Sequence, residues 1–249
     1  MSDRELAGRV AVVTGAGRNI GSSIAASLAA AGAAVVVNTR SNEAEARRVV
    51  GDIEASGGTA MVAIADVVDA SAVECMVDAV VSRFGGIDIL VNNAAMRMER
   101  ALAAMTLEEW HKVVAVVLDG AFICTKACLP YLQKSDAAAI INIGGLSAHI
   151  GAAHRAHVIT AKAGLIGFTR ALAHEFAGQV RVNMVTPGLI DTSRSPDQPE
   201  PQHHSFTKTL VGRRGTPKDI AEMVRFLAGP HAGFITGQNH QLNGGAHLR

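Results

Sequence analysis

The 249-residue sequence is poor in the features that mark secreted, membrane-bound or nucleic-acid-binding proteins. Cysteine is scarce: Cys75, Cys124 and Cys128 are odd in number and lack metal-type spacing. They read as small buried apolar residues in a reducing cytoplasm. Net charge is nearly absent, 23 Lys and Arg against 22 Asp and Glu, with no like-sign block. That balance argues against nucleic acid or an acidic membrane as the main partner. No apolar run approaches the ~18 residues of a membrane span. The opening stretch Met1–Arg9 has no apolar core of a secretory signal. A cytoplasmic location is expected. Tyrosine is rarer still, with Tyr131 the one example.

What is present suits a large buried core, since 49% of residues are hydrophobic and 18% charged. The length fits one α/β domain as well as two smaller ones, but no linker divides the chain. Short apolar runs at Val10–Val13, Val35–Asn38, Ala60–Ala65, Ile87–Asn92, Ala139–Ile143, Val180–Val185 and His240–Leu242 read as strands. They are continuous and not alternating, which suits strands covered on both faces. Helical segments lie between them. Thr106-Leu-Glu-Glu109 fits a capping box, and Thr216-Pro217 an N-cap followed by Pro at the first helical position. The alternation predicts a single α/β domain over residues 1–249, a doubly wound fold with a parallel sheet of about seven strands.

One stretch is irregular. Ser193–Ser205 holds Pro196, Pro199 and Pro201 with His203 and His204. It reads as a lid over a site, extending to about residue 209, or as simple disorder. Two adjacent histidines on such a loop are better explained as solvated, so no metal is expected.

The first strand runs into Thr14-Gly-Ala-Gly-Arg-Asn-Ile-Gly21 and then an Ala-rich helix. Glycines there let the backbone turn tightly and approach a pyrophosphate seated at the helix N-terminus. The position of the cluster, after a strand and before a helix, separates it from an ordinary turn. The second strand ends at Asn38-Thr39-Arg40, 18 residues beyond Gly21. An acidic side chain at Thr39 would bind the ribose 2′-hydroxyl of NAD. Here Thr39, Arg40 and Arg18 offer a hydroxyl and two guanidiniums, which suit a 2′-phosphate. NADP(H) is therefore favoured over NAD(H). The competing reading is that Arg40 opens a solvated helix.

Taken together these motifs resemble the short-chain dehydrogenase/reductase family, a Rossmann-fold group, and are most similar to its 3-oxoacyl-acyl-carrier-protein reductases. Thr14–Gly21 resembles the TGxxxGxG loop, with Asn19 for the middle glycine; Asn tolerates left-handed backbone. Asp66 and Val67 stand where the family contacts adenine. Asn92-Asn93-Ala94-Ala95 resembles NNAG. Pro187-Gly188-Leu-Ile-Asp-Thr192 resembles the loop at the nicotinamide end, and Ile235–Gln238 with Asn243–Gly245 the C-terminal strand. The resemblance thus implies a cofactor set of Gly15, Gly17, Arg18, Asn19, Ile20, Gly21, Thr39, Arg40, Asp66, Val67, Asn93, Ala94, Lys162, Pro187, Gly188 and Thr192.

It also implies a Tyr as general acid/base, a Lys four residues later, a Ser about a dozen residues upstream and an Asn on the preceding helix. Set against Ala156–Gly164, Lys162 is present but Val158 holds the Tyr position. Gly145 stands for the Ser and Val117 for the Asn. A positioned general acid contributes ~10²–10⁴ in rate and an oxyanion donor ~10²–10³. Tyr131 lies on the preceding helix and suits packing. If one helix carries both His154 and Val158, His154 is one turn before Val158 and a candidate replacement; His157, Ser147 and His149 are other polar groups nearby. The favoured reading of His154 and His157 is that they belong to the exposed loop entering the helix, and Arg155 reads as either a solvated charge or a clamp for a substrate carboxylate. The candidate catalytic set is Lys162, His154 and Ser147.

Three functions follow as expectations: an NADP(H)-dependent oxidoreductase with a non-standard proton donor, a catalytically silent NADP(H)-binding homologue, or a lyase or isomerase on the same scaffold. The resemblance implies a homo-oligomer paired through the helices around Trp110–Tyr131 and His154–Phe176, or a hetero-oligomer with an active homologue. It leaves the small-molecule substrate open.

Overall fold

In a computed structural model, residues 4–193 and 208–248 are described. Seven parallel strands form one sheet: β1 (Val10–Val13), β2 (Ala34–Thr39), β3 (Thr59–Ile64), β4 (Ile89–Asn92), β5 (Ala139–Ile143), β6 (Arg181–Pro187) and β7 (Asn239–Leu242). Their spatial order is β3-β2-β1-β4-β5-β6-β7. The order reverses between β1 and β4, and a doubly wound sheet opens a crevice at the carboxyl ends of its strands at such a point.

The interior strands are apolar without alternation because helices cover both faces. On one face lie α1 (Asn19–Ala30), α2 (Glu43–Ala55) and α8 (Pro217–Ala228), whose Ile24, Leu28, Val49, Ile220 and Val224 are buried against Val13, Val37 and Ile141. On the other lie α3 (Ala70–Phe84), α5 (Gly120–Leu132) and α7 (Ala156–Glu175), which bury Met76, Val80, Cys128 and Leu172 against Val12, Leu90 and Ile140. Interior strands lose full burial only at end residues, Ala34 and Thr39 of β2 and Arg181 of β6, and the expectation fails most at the sheet edges. β3 exposes Thr59 and Ile64, and β7 is half-buried throughout, since an edge strand has cover on fewer sides.

One other expectation is corrected. Cys124 and Cys128 are buried, and burial pushes the Cys124 thiol up to about 12, but Cys75 is exposed on α3. The helix α4 (Leu107–Val114), a π-helical turn (Ala115–Asp119) and α5 run on as one 26-residue helix, Leu107–Leu132. By length and composition it passes a test for membrane spans that core helices also pass, and Asp119 and Lys126 break its apolar run. The proposed lid, including His203 and His204, lies outside the described residues except at its ends.

Candidate functional site

A cleft of about 670 Å³ opens at the carboxyl ends of β1, β2, β4, β5 and β6. All the cofactor candidates named from the sequence line it, together with Gly145, Ser147, Val158 and Arg155.

At one end the chain's own backbone forms the wall. Gly15 has φ +61°, and a Cβ there would lie 2.9 Å from the Ala94 Cα. A Cβ on Gly21 would lie 2.3 Å from the Gly15 oxygen, too close for any side chain. Side chains cap α2, α3, α4 and α8 through Asn42, Asp69, Thr106 and Thr216, whereas no side chain caps α1. α7 is likewise without a side-chain cap, but it is the first turn of α1, Asn19–Gly21, that lines this end of the cleft, where free backbone N–H groups suit an anion. Buried Asn38 fixes this loop: its Oδ1 accepts from the Gly15 N–H at 3.4 Å, while its Nδ2 donates to the Ala63 and Ala65 carbonyls. Asn93 has a similar task. Its Nδ2 donates to the Thr14 and Gly15 carbonyls at 2.8 and 3.0 Å, so its amide holds the loop in place.

Asn19 adopts the left-handed backbone its position requires, with φ 53°. Its Oδ1 accepts from the backbone N–H and the hydroxyl of Ser193, at 2.9 and 2.8 Å, and its Nδ2 donates to the Ser193 carbonyl at 3.1 Å. The loop after β1 is thereby tied across the cleft to the segment after β6. Arg18 and Arg40 are exposed on the rim, and no carboxylate replaces Thr39. Glu45, unnoticed in the sequence, comes within 3.4 Å of where a Gly17 Cβ would stand. Its helix position, two residues into α2, gave no sign that it reaches the cleft.

The other end is built by β5, β6, the π turn and α7. Lys162 is 7% exposed, and its Nζ donates to the Ile143 carbonyl at the end of β5. Burial pushes its ammonium down to about 8, with the positive charges of Arg97 and Arg155 acting in the same direction. Gly164 lets α7 approach the π turn closely, since a Cβ there would lie 2.9 Å from Leu118. Val117, in that turn, is buried against Ala161, Leu165 and Met184. Beneath the site, Asn92 donates to Asn142, and Asn142 donates to Thr169 of α7, both at 2.9 Å. This buried chain fixes α7 on the sheet.

Gly144 and Gly145 differ. A Cβ on Gly144 would lie 2.2 Å from the Met184 methyl and 2.8 Å from the Thr186 hydroxyl, so those side chains would have to move; around Gly145 there is nothing within 4 Å. The missing hydroxyl at 145 is therefore not forced by packing.

The structure decides between the readings of the histidines: His154 lies on the exposed loop entering α7, as the favoured reading has it, whereas His157 is buried. α7 begins at Ala156, so His154 lies outside the helix rather than one turn before Val158. Its backbone is left-handed (φ 62°), its carbonyl accepts from the Arg100 N–H, and its exposed side chain does not line the cleft. His157 is buried away from the cleft, and burial lowers its pKa. His149 turns away to Asn239 at 3.1 Å. Tyr131 packs against the core beside Lys134, as its sequence position implied. Ser147 alone of these polar groups joins Lys162 in the cleft. Arg97 lies on the loop after β4, a segment that the sequence suggests as pocket wall without singling out this residue; its guanidinium donates to Thr192 Oγ1 at 3.4 and 3.5 Å.

Comparison with known proteins agrees with this architecture. The family described as enoyl-(acyl carrier protein) reductase matches residues 15–247. A 3-oxoacyl-[acyl-carrier-protein] reductase of Synechocystis is 39% identical over 96% of this chain and 97% of its own. The corresponding protein of Vibrio cholerae is 38% identical over 98% and 99%. A dehydrogenase/reductase from Sinorhizobium meliloti superposes with a TM-score of 0.93 at 35% identity, covering 99% of this chain and 98% of its own. A short-chain dehydrogenase from Burkholderia cenocepacia, solved in complex with NADP, superposes with a TM-score of 0.91 at 33% identity, covering 98% and 100%. Matched over nearly its whole length by that family, by relatives at 38–39% identity and by solved structures of the same fold, the chain belongs to the short-chain dehydrogenase/reductase family.

Proposed function

We propose that this protein is an NADP(H)-dependent oxidoreductase acting on a carbonyl or alcohol, with Lys162 in the proton-handling role. The observation that carries this reading is Lys162 itself. It is a buried ammonium at the reactive end of the cleft, tuned to about 8, beside positions 145 and 158 that carry no hydroxyl. The relatives named as reductases, and the neighbour solved with NADP, support the cofactor and the reaction class.

The residues present suit that cofactor. The uncapped start of α1 and the Gly15–Gly21 turn would take its pyrophosphate, Asp66 and Val67 its adenine, and Arg18, Thr39 and Arg40 the 2′-phosphate. Pro187, Gly188 and Thr192 would flank the nicotinamide, which supplies or accepts the hydride. Lys162 holds a proton near neutral pH and delivers it at the substrate oxygen, and Ser147 offers a hydroxyl in the same space. Val158, Leu146 and Ile150 exclude water around it.

Incubation with NADPH and a panel of ketones and 3-oxoacyl thioesters, followed by absorbance, tests this. Turnover is expected, together with tighter binding of NADPH than NADH. Absence of affinity for either coenzyme would overturn the reading. A second reading has its own support, because Lys162 Nζ is engaged by the Ile143 carbonyl. In that case the chain is a catalytically silent NADP(H)-binding homologue, and coenzyme binding without turnover would favour it.

A homo-oligomer also fits. Only 39% of the apolar window in Leu107–Leu132 is buried within one chain, and Phe122 is half-exposed on it. A second copy laid along α4, α5 and α7 would cover that face, and light scattering reads it directly.

A further inference from the structure

The nucleotide end of the cleft is not uniformly basic. Arg18, Thr39 and Arg40 line it, and so do two carboxylates, Glu45 and Asp66. These two acids are placed differently. Asp66 turns back on its own chain, its Oδ1 accepting from the Val68 N–H at 3.3 Å. Glu45 reaches across to the glycine loop, where its Cβ and Oε2 each lie 3.4 Å from the place a Gly17 Cβ would take. Gly17 adjoins Arg18, and Arg40 leads directly into the turn that starts α2. The Glu45 carboxylate therefore stands where the segments carrying the two guanidiniums come together.

Local structure aims it there. Asn42 caps α2 by accepting from the Glu45 N–H at 3.2 Å, which fixes the first turn against the end of β2. Glu43, two residues earlier, points elsewhere, because residues two apart on a helix do not share a face. Its carboxylate accepts from Arg47 Nε at 2.8 Å on the exposed side and does not line the cleft. A 2′-phosphate held by Arg18 and Arg40 would bring its negative charge into the space that Glu45 occupies, and like charges repel. A 2′-hydroxyl meets no such cost, since it is able to donate to a carboxylate.

We propose that Glu45 is a specificity-determining residue for the coenzyme: its carboxylate opposes the 2′-phosphate, so that the preference for NADP(H) is narrower than two arginines would impose and NADH is bound as well. This rests on the NADP(H) reading of the site given above. An acidic side chain in the first turn also favours α2 through the helix dipole. That role acts on helix stability and does not distinguish two ligands that differ by one phosphate.

Fluorescence titration with NADPH and NADH, which differ by the 2′-phosphate alone, tests the proposal through the ratio of their affinities. The native chain should bind both, NADPH the more tightly. Glu45→Gln and Glu45→Ala remove the charge with and without the bulk of the side chain. Both should raise the ratio by about two- to fivefold, the scale of a single charge interaction at a partly exposed site, through tighter binding of NADPH. The gain should shrink between about 0.1 M and about 1 M salt, as the screening length falls from about 10 to about 3 Å. Glu43→Gln should leave the ratio at its native value. The proposal is overturned if the native chain binds NADPH but not NADH, or if Glu45→Gln leaves the ratio unchanged. It is also overturned if only Glu45→Ala moves the ratio, which would mean packing, or if Glu43→Gln moves it equally, which would mean a diffuse field. In each of those cases the oxidoreductase reading stands. Failure of the native chain to bind either coenzyme would sink both.

Discussion

The two ends of one cleft are built on opposite principles. At the nucleotide end the wall is backbone, and glycine is required by contact: Cβ atoms at positions 15 and 21 would meet neighbouring backbone at 2.9 and 2.3 Å. At the reactive end the wall is side chain, and the glycine at 145 has free space around it. The first end is therefore determined by what cannot be added. The second is determined by which groups happen to stand there, and it tolerates replacement.

The strongest test of that contrast is Lys162→Met. Losing the proton-handling group should lower kcat by about 10²–10⁴, while coenzyme affinity falls far less. The same variant should be no less heat-stable at pH 7 by calorimetry. Folding lowers the lysine's pKa from 10.5 to about 8, so the buried charge penalises the folded state fully below pH 8. That penalty fades as pH rises towards 10.5. For the native chain, reduction should accordingly decline as pH rises through about 8, and alcohol oxidation should increase over the same interval. A flat pH profile would remove Lys162 from the chemistry.

Next in size is the reverse experiment, Gly145→Ser with Val158→Tyr. If the reactive end tolerates replacement, the double variant should fold and should reduce uncharged ketones about 10²-fold faster, the scale of a restored donor. Collapse of its melting temperature would show that packing, and not drift, excluded the hydroxyls. Gly21→Ala probes the other end. Overpacking of 1–3 kcal/mol implies a loss of about 10- to 100-fold in NADPH affinity, seen by fluorescence titration; an unchanged value would contradict the contact argument. Arg40→Ala should cost about tenfold for NADPH and leave NADH nearly untouched, as expected for one charged hydrogen bond. Equal effects on both coenzymes would assign Arg40 to the solvated surface. The smallest change is expected for Asn19→Gly, which relieves a left-handed residue while cutting the tie to Ser193; a shift of a few-fold in coenzyme affinity is the scale of exposed neutral hydrogen bonds.

Much of this was readable before any coordinates. Strands β1 and β5 have the limits their apolar runs imply, because both lie inside the sheet and are buried at every residue. The edges were harder. β7 draws on Asn239 and His240, polar residues that no burial pattern selects, and only pairing with β6 makes it a strand. The capping boxes at Thr106 and Thr216 are local devices and appear as expected. His154 was misplaced because helix periodicity was extended two residues past the true start of α7. Glu45 left no trace and Arg97 was not singled out within its loop, since each reaches the cleft from an element whose place depends on distant packing.

By itself the sequence settled the order of strands and helices, the glycine turn and the absence of hydroxyls at 145 and 158, for these depend on neighbours along the chain. Only the tertiary structure decided which charges share the reactive end. That outcome depends on bringing the loop after β4, the entry to α7 and the segment after β6 together across the sheet, and side chains far apart in sequence feel one another's charge only once folding has done so.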